Sequence, residues 1–272
     1  MKEHPEIFTR PSHREETPII AYAIDMEKEA GGARHCHERG QLLHILSGTM
    51  TVTTDHGSFV VPPERAVWMP VGVFHETSYM AFAKFRTLYV CAEWCEDLPQ
   101  VPQVIQVTPL LRELIMALMG EPRDYEAGGP VGRLARVLVD QMAKLPVAPL
   151  QLTFPTDDRL KTLAKGIVRC PSNIPQLAEA ATSCALSQRT FERRFSAETG
   201  LSFRSWCNQA KLFRALELLA VGRSVGDVAH KLGYEGPSAF IHRFKTAFGV
   251  TPGQYFRESH ALDAIDRPSK KS

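Results

Sequence analysis

The chain has no apolar run near the roughly 20 residues that a bilayer-spanning helix needs. Its opening, Met1-Lys2-Glu3-His4-Pro5-Glu6, also lacks the apolar centre of a secretory signal. A cytoplasmic location without a membrane partner is expected. Cysteine is sparse and unpatterned: Cys36, Cys91, Cys95, Cys170, Cys184 and Cys207 show neither a CxxC pair nor a disulfide-like rhythm, and read as reduced thiols. Net charge is nearly absent too, at +2, which excludes a uniformly basic or acidic surface. What is present is globular composition, 44% hydrophobic and 23% charged, over 272 residues, enough for two domains each with its own core.

The small net charge conceals an asymmetry. Residues 155–272 hold 18 Lys and Arg against 11 Asp and Glu, a net of +7, and residues 1–154 hold 14 against 19, a net of −5. A basic C-terminal part suits a polyanion, and an acidic part is a poor candidate for the same surface.

From Ile19 to Ala92 the apolar residues fall in short runs: Ile19–Ile24, Leu42–Leu46, Met50–Thr53, Phe59–Val61, Val67–Met69, Ser78–Phe82 and Phe85–Val90. Turn residues separate them, as in a small antiparallel barrel or sandwich. Asp55-His56-Gly57 reads as a hairpin turn in which glycine supplies a positive φ. Beyond Pro102 the period becomes helical. Leu110, Leu111, Leu114, Ile115 and Leu118 share a face after Pro109, and Val131, Leu134, Leu138, Met142 and Leu145 stripe a second helix. The pair either caps the barrel or meets a second copy across a dimer axis, and the second arrangement is preferred. The proline-rich stretch from Leu145-Pro146 to Phe154-Pro155 is the expected linker.

After Pro155 the sequence repeats. Leu177, Ala180 and Ala181 match Val225, Val228 and Ala229, and Phe191, Phe195, Gly200, Leu201, Ser202 and Trp206 match Phe240, Phe244, Gly249, Val250, Thr251 and Tyr255, the later set 49 residues on. Each copy has a short helix, a tight turn and a second helix whose two phenylalanines, at i and i+4, face one core. That is the layout of a helix-turn-helix unit. Leu232-Gly233-Tyr234 makes the second turn, and in the first Ala185 stands where glycine would be. Ser187 and Asn173 are the expected N-caps of the first unit. Gln188, Arg189, Glu192 and Arg193 then lie outward, with Ser238, Ala239, His242 and Arg243 as counterparts. Such a face fits the major groove of DNA. The uninterrupted helical pattern from Ser202 to Ala220 is a rigid spacer between the units.

Leu201-Ser202-Phe203-Arg204-Ser205-Trp206, Arg214–Ala220, Ser224–Ala229, Leu232-Gly233-Tyr234, Ser238-Ala239-Phe240, Phe244-Lys245 and Phe248-Gly249-Val250-Thr251-Pro252 together resemble the AraC/XylS family of bacterial regulators. The resemblance spans roughly residues 160–257. It implies base contacts from Arg189, Glu192 and Arg193 in one unit and from Ser238, Ala239 and His242 in the other. Arg194, Arg243 and Lys245 are expected on phosphates, which position without specifying.

In the N-terminal half, His35-Cys36-His37, Gln41, Gly48 and Pro70-Val71-Gly72-Val73-Phe74-His75 resemble the two cupin motifs, and such a sensor barrel is common in AraC-type regulators. The resemblance implies that His35, His37 and His75 converge inside the barrel, where metal-binding cupins hold their ion. Gln41 stands where those cupins place an acid, and Glu29 and Glu64 stand where each motif begins with glycine. An organic effector pocket lined by His35, His37, Gln41 and His75 is the first reading, a divalent metal ion on the three histidines the second, and purely structural histidines the third.

The expected fold is α+β: a cupin-like antiparallel β-barrel over 1–100, a helical linker and dimerisation segment over 101–154, an all-α DNA-binding domain with two helix-turn-helix units over 155–260, and a disordered tail over 261–272. The expected function is a homodimeric transcription regulator, not an enzyme. Its expected partners are double-stranded DNA and a small-molecule or ion effector, with RNA polymerase as a further candidate. The rivals are a metal-responsive regulator, a cupin metalloenzyme and a DNA-binding protein whose barrel answers to no effector.

Overall fold

The computed structural model describes residues 17–26, 31–79 and 83–256. Glu29 and the tail at 261–272 lie outside the described residues. The chain divides into two compact units, one of residues 1–54 and 59–151, the other of 55–58 and 152–272.

The first unit carries β1 (Ile19–Met26), β2 (Gly31–His35), β3 (Gly40–Ser47), β4 (Met50–Thr54), β6 (Arg65–Met69), β7 (His75–Tyr79), β8 (Ala83–Val90) and β9 (Gln103–Gln106), together with residues 59–61 of β5 (Gly57–Val61). One antiparallel sheet runs β1-β8-β3-β6-β9. The other runs β10-β5-β4-β7-β2, with β10 (Gln151–Thr153) at its edge. Register decides which side chains share a face, because directly opposed residues point the same way. Leu42 opposes Leu88 and Trp68, and Gln41 opposes Tyr89 and Met69. Leu42, Leu88 and Trp68 form one buried cluster with Leu111, Ile115, Leu138 and Val139, so this face of the first sheet lies under α1 (Pro109–Met119) and α2 (Pro130–Met142). Gln41 and Tyr89 therefore face the opposite way, into the space between the sheets.

Several local expectations are corrected. Leu110 is 52% exposed rather than packed with Leu111 and Leu114, because one residue turns a helix by about 100° and Leu110 falls off the edge of their stripe. Gly57 does not have a positive φ. Its constraint is close approach, since a Cβ there would stand 2.7 Å from the Leu152 carbonyl oxygen. Strand β2 escaped the sequence reading because Gly-Gly-Ala-Arg-His has no apolar alternation, and β7 begins at His75, earlier than the apolar run suggested.

In the second unit α3 (Asp158–Arg169) precedes the two repeats: α4 (Leu177–Ser183) with α5 (Gln188–Thr199), and α7 (Val225–Lys231) with α8 (Pro237–Phe248). The spacer α6 (Phe203–Ala220) joins them. Its 18 residues extend about 27 Å. Phe191, Phe195, Phe240 and Phe244 are fully buried. Phe195 packs edge-on to Phe203 and Trp206, with centroids 5.3 and 5.5 Å away. Trp206 also donates its indole N–H to the Thr153 carbonyl at 2.7 Å. Asn173 is not the N-cap of α4. That place belongs to Gln176, whose backbone N–H is taken by the Glu179 carboxylate at 3.0 Å, so the helix starts after Pro175 rather than at it.

Candidate functional site: a histidine pocket and two outward helices

Pairing of β2 with β7 sets His35 opposite His75, across a register irregularity after Gly32. The turn at Gly72 holds the segment following β2 through its backbone N–H to the His37 carbonyl, 2.9 Å, and so brings the third ring in. The ring centroids lie 4.4 Å apart for His35 and His75, 4.7 Å for His35 and His37, and 5.4 Å for His37 and His75. One ligating nitrogen from each falls within 4.8 Å of the others. Gln41 joins from β3. Its amide donates to Thr87 Oγ1 and Tyr89 Oη, both at 3.1 Å, and the Tyr89 ring lies 5.0 Å from that of His37.

Burial keeps the rings of His37 and His75 neutral. Burial, aided by the neighbouring His35 and His75, lowers His37 from its usual value to about 3, against a smaller opposing pull from Gln41. Burial lowers His75 to about 4, opposed by the Val73 carbonyl that accepts from its ring. Burial pushes the Tyr89 phenol well above its ordinary range, so it stays protonated. His37 Nε2, His75 Nε2 and Gln41 Oε1 are buried with no hydrogen-bond partner. Uncommitted imidazole nitrogens are what a divalent ion requires, so the three histidines fit one. Gln41 adds an oxygen but no charge. Sequence reading missed Tyr89 and Thr87, which orient Gln41. Their only signal was two-residue alternation along β8 in register with Gln41.

On the second unit, Ser187 caps α5 by accepting from Thr190 N–H at 3.3 Å. With Phe191 and Phe195 inward, Gln188, Arg189, Arg193 and Arg194 are exposed, as are Ser238, Ala239, His242, Arg243 and Lys245 on α8. Glu192 differs. It is partly buried, and its carboxylate accepts the Phe203 backbone N–H at 3.3 Å, at the start of α6. Arg194 pairs with Asp157 at 3.4 Å. The turns are built alike, with Ala185 at φ 54° in the first and Gly233 at φ 69° in the second. The helices of the second unit are one residue further apart, and its α8 starts from Gly236 without a side-chain cap.

These two arrangements have counterparts. Residues 19–138 match the family profile described as AraC-like ligand binding domain, and residues 180–258 match that of a helix-turn-helix domain. The HTH-type transcriptional regulator NimR of Escherichia coli K12 is 35% identical over 221 residues, 81% of this chain and 81% of that protein. The HTH-type transcriptional regulator RipA of Corynebacterium diphtheriae is 24% identical over 79% of this chain and 55% of its own length. Among solved structures, the DNA-binding domain of AdpA in complex with a target DNA covers 40% of this chain and 97% of its own, at 26% identity and a TM-score of 0.36. These relatives are regulators, which removes the metalloenzyme alternative. With a ligand-binding barrel of cupin type ahead of paired helix-turn-helix units, the chain belongs to the AraC family of transcriptional regulators.

Proposed function

We propose that the pocket of His35, His37, Gln41 and His75 receives the effector of this regulator, and that α5 and α8 read its operator. The observation that carries the effector reading is the set of buried acceptors, His37 Nε2, His75 Nε2 and Gln41 Oε1, left without partners inside the ligand-binding domain. Buried polar atoms without partners cost about 1–3 kcal/mol each, a cost a bound molecule or ion removes. An effector shifts operator binding only by as much as it prefers one state of the protein over the other.

For DNA, the reading assigns base contacts to Arg189 and Arg193 on α5 and to Ser238, Ala239 and His242 on α8, with Arg194, Arg243 and Lys245 on phosphates. All are exposed. Glu192, engaged with Phe203 N–H, acts by fixing the start of α6 beside α5. Arg193→Ala is expected to weaken a selected operator by about 1–3 kcal/mol and random DNA hardly at all. A gel-shift titration of both DNAs at one salt concentration decides it, and equal losses would remove Arg193 from the reading face.

The same reading has the protein act in the cytoplasm, with RNA polymerase as a candidate partner. It also has the protein act as a homodimer through α1 and α2, where Leu110 and Val137 are 52% and 44% exposed. Light scattering of the wild type and of Leu110→Glu measures that association.

A further inference from the structure

We infer that the peptide joining Thr153 to Phe154 carries the state of the β4–β5 hairpin to α5, with Trp206 and Glu198 as its positioning residues. This rests on the reading that α5 seats on the operator.

The proline-rich stretch ahead of α3 has the composition of a tether, but its last residues are held. Residues 55–58, the tip between β4 and β5, lie in the same compact unit as residues 152–157 and the helices α3 to α8. In the trans peptide between Thr153 and Phe154 the C=O and the N–H point to opposite sides of one rigid plane. The Phe154 N–H donates to the His56 carbonyl at 2.8 Å, and the Thr153 carbonyl accepts the Trp206 indole N–H at 2.7 Å. The hairpin tip therefore grips one edge of the plane and α6 grips the other. There is little room for it to slip. Leu152 and Phe154 are 1% and 3% exposed, and the Leu152 carbonyl lies where a side chain on Gly57 would begin.

Beyond the plane the chain is tied to α5 itself. One carboxylate oxygen of Glu198 accepts from the Thr156 backbone N–H at 2.7 Å, the Thr156 hydroxyl at 2.9 Å and the Asp157 backbone N–H at 2.9 Å. The Asp157 carboxylate meets Arg194, about one helical turn before Glu198, at 3.4 Å. Trp206 stands edge-on to Phe195 of α5, with centroids 5.5 Å apart. On the other side, β4 ends at Thr54, which lies opposite His75 in the register of β4 on β7. From His75 the route thus crosses one strand pairing, the short step from Thr54 to His56 and one peptide plane before it reaches α6 and α5. A flexible linker would absorb a displacement of the hairpin, whereas a hydrogen-bonded, packed connection passes it on.

Coupling between two sites is reciprocal, so DNA on α5 must act back on the hairpin. A DNA duplex selected from a random pool is added to the full-length chain, and amide hydrogen exchange is followed at α5 and at residues 50–58. Exchange across 50–58 is expected to change by about fivefold or more once α5 is occupied. Trp206→Phe, which removes the indole N–H and keeps a ring, and Glu198→Ala should each abolish that change at DNA concentrations that still protect α5. Glu198→Gln keeps an acceptor oxygen and should retain the change, which a loss of packing alone would not explain. Melting curves check folding, and the partly exposed Glu198 can be truncated with less disturbance than the buried Trp206. A hairpin that does not respond to DNA in the wild type, or a response that survives in both Trp206→Phe and Glu198→Ala, overturns the inference. If α5 is protected by DNA and residues 50–58 are unaffected, the reading of α5 stands and the inference alone falls. If DNA leaves α5 itself unprotected, that reading falls and takes the inference with it.

Discussion

Left-handed backbone costs a residue with a Cβ roughly 1–2 kcal/mol. Ala185 bears that cost at φ 54°, where Gly233 of the second turn, at φ 69°, does not. Ala185→Gly is therefore expected to stabilise the protein by about 1 kcal/mol, net of the extra entropy glycine gives the unfolded chain, and Gly233→Ala to destabilise it by a similar amount. Chemical denaturation of both variants checks the pair. His44 makes a second residue-scale prediction. It is fully buried on the helix-covered face of β3, and burial lowers it to about 4, opposed by a hydrogen bond to the Arg65 carbonyl and reinforced by Arg112 and Arg86. Because the folded value lies below the unfolded 6.5, protons bind the unfolded chain first. Its contribution is full above pH 6.5 and is lost as pH falls toward 4, at most about 3 kcal/mol. His44→Met should flatten the stability profile between pH 7 and 4 relative to wild type in urea titrations, and parallel profiles would refute the assignment. At this scale His35, His37 and His75 were legible because motif spacing carries them, and Ala185 because its twin is glycine. Tyr89 and Thr87 were not, since they lie more than 40 positions from Gln41 and only the register of β3 on β8 joins them.

Among elements, α5 has the most conditions to satisfy. It needs a serine cap, an inward phenylalanine pair and a left-handed end at Gly200, and all three are present. Phe195 is stacked on Phe191 at 5.6 Å and closed in by Phe203 and Trp206. Phe195→Ala should cost about 3–5 kcal/mol and abolish operator binding through loss of the first helix-turn-helix unit. A melting curve together with a gel shift tests this, and unchanged stability would show that α5 is held by something other than its aromatic core. The helices were readable because each carries its own period and punctuation. The exceptions have physical causes. The start of α4 is set by a side chain reaching back from Glu179, not by the residue type ahead of Pro175. Strands β2 and β10 are short, and their hydrogen bonds come from partners distant in sequence. Glu192 looked outward by helical phase, yet its carboxylate turns to the first N–H of α6, a contact decided by the fold of the next element.

At the scale of the molecule, charge is partitioned as function requires, with the basic excess in residues 155–272 and the acidic excess before them. Phosphate contacts from Arg194, Arg243 and Lys245 should contribute about −3 to the slope of log affinity against log salt, and Lys245→Ala should reduce its magnitude by about 1. Binding measured across a salt series gives the slope directly, and an unchanged value in the variant would take Lys245 off the backbone. The division between sensing and DNA-binding parts was legible from the change of period and charge. The pairing that closes the pocket was not, because it depends on which strands meet.

The two helix-turn-helix units are copies that no longer match. They differ by one residue in the turn, and Gln188, Arg189 and Arg193 face outward from one where Ser238, Ala239 and His242 do so from the other. A single chain thus has no two-fold axis through its reading surface, and the sequence it fits is not its own reverse complement. With α5 and α8 seated on DNA as proposed, one chain would have a head and a tail, so its binding site would act as an arrow whose direction relative to a promoter a single chain sets.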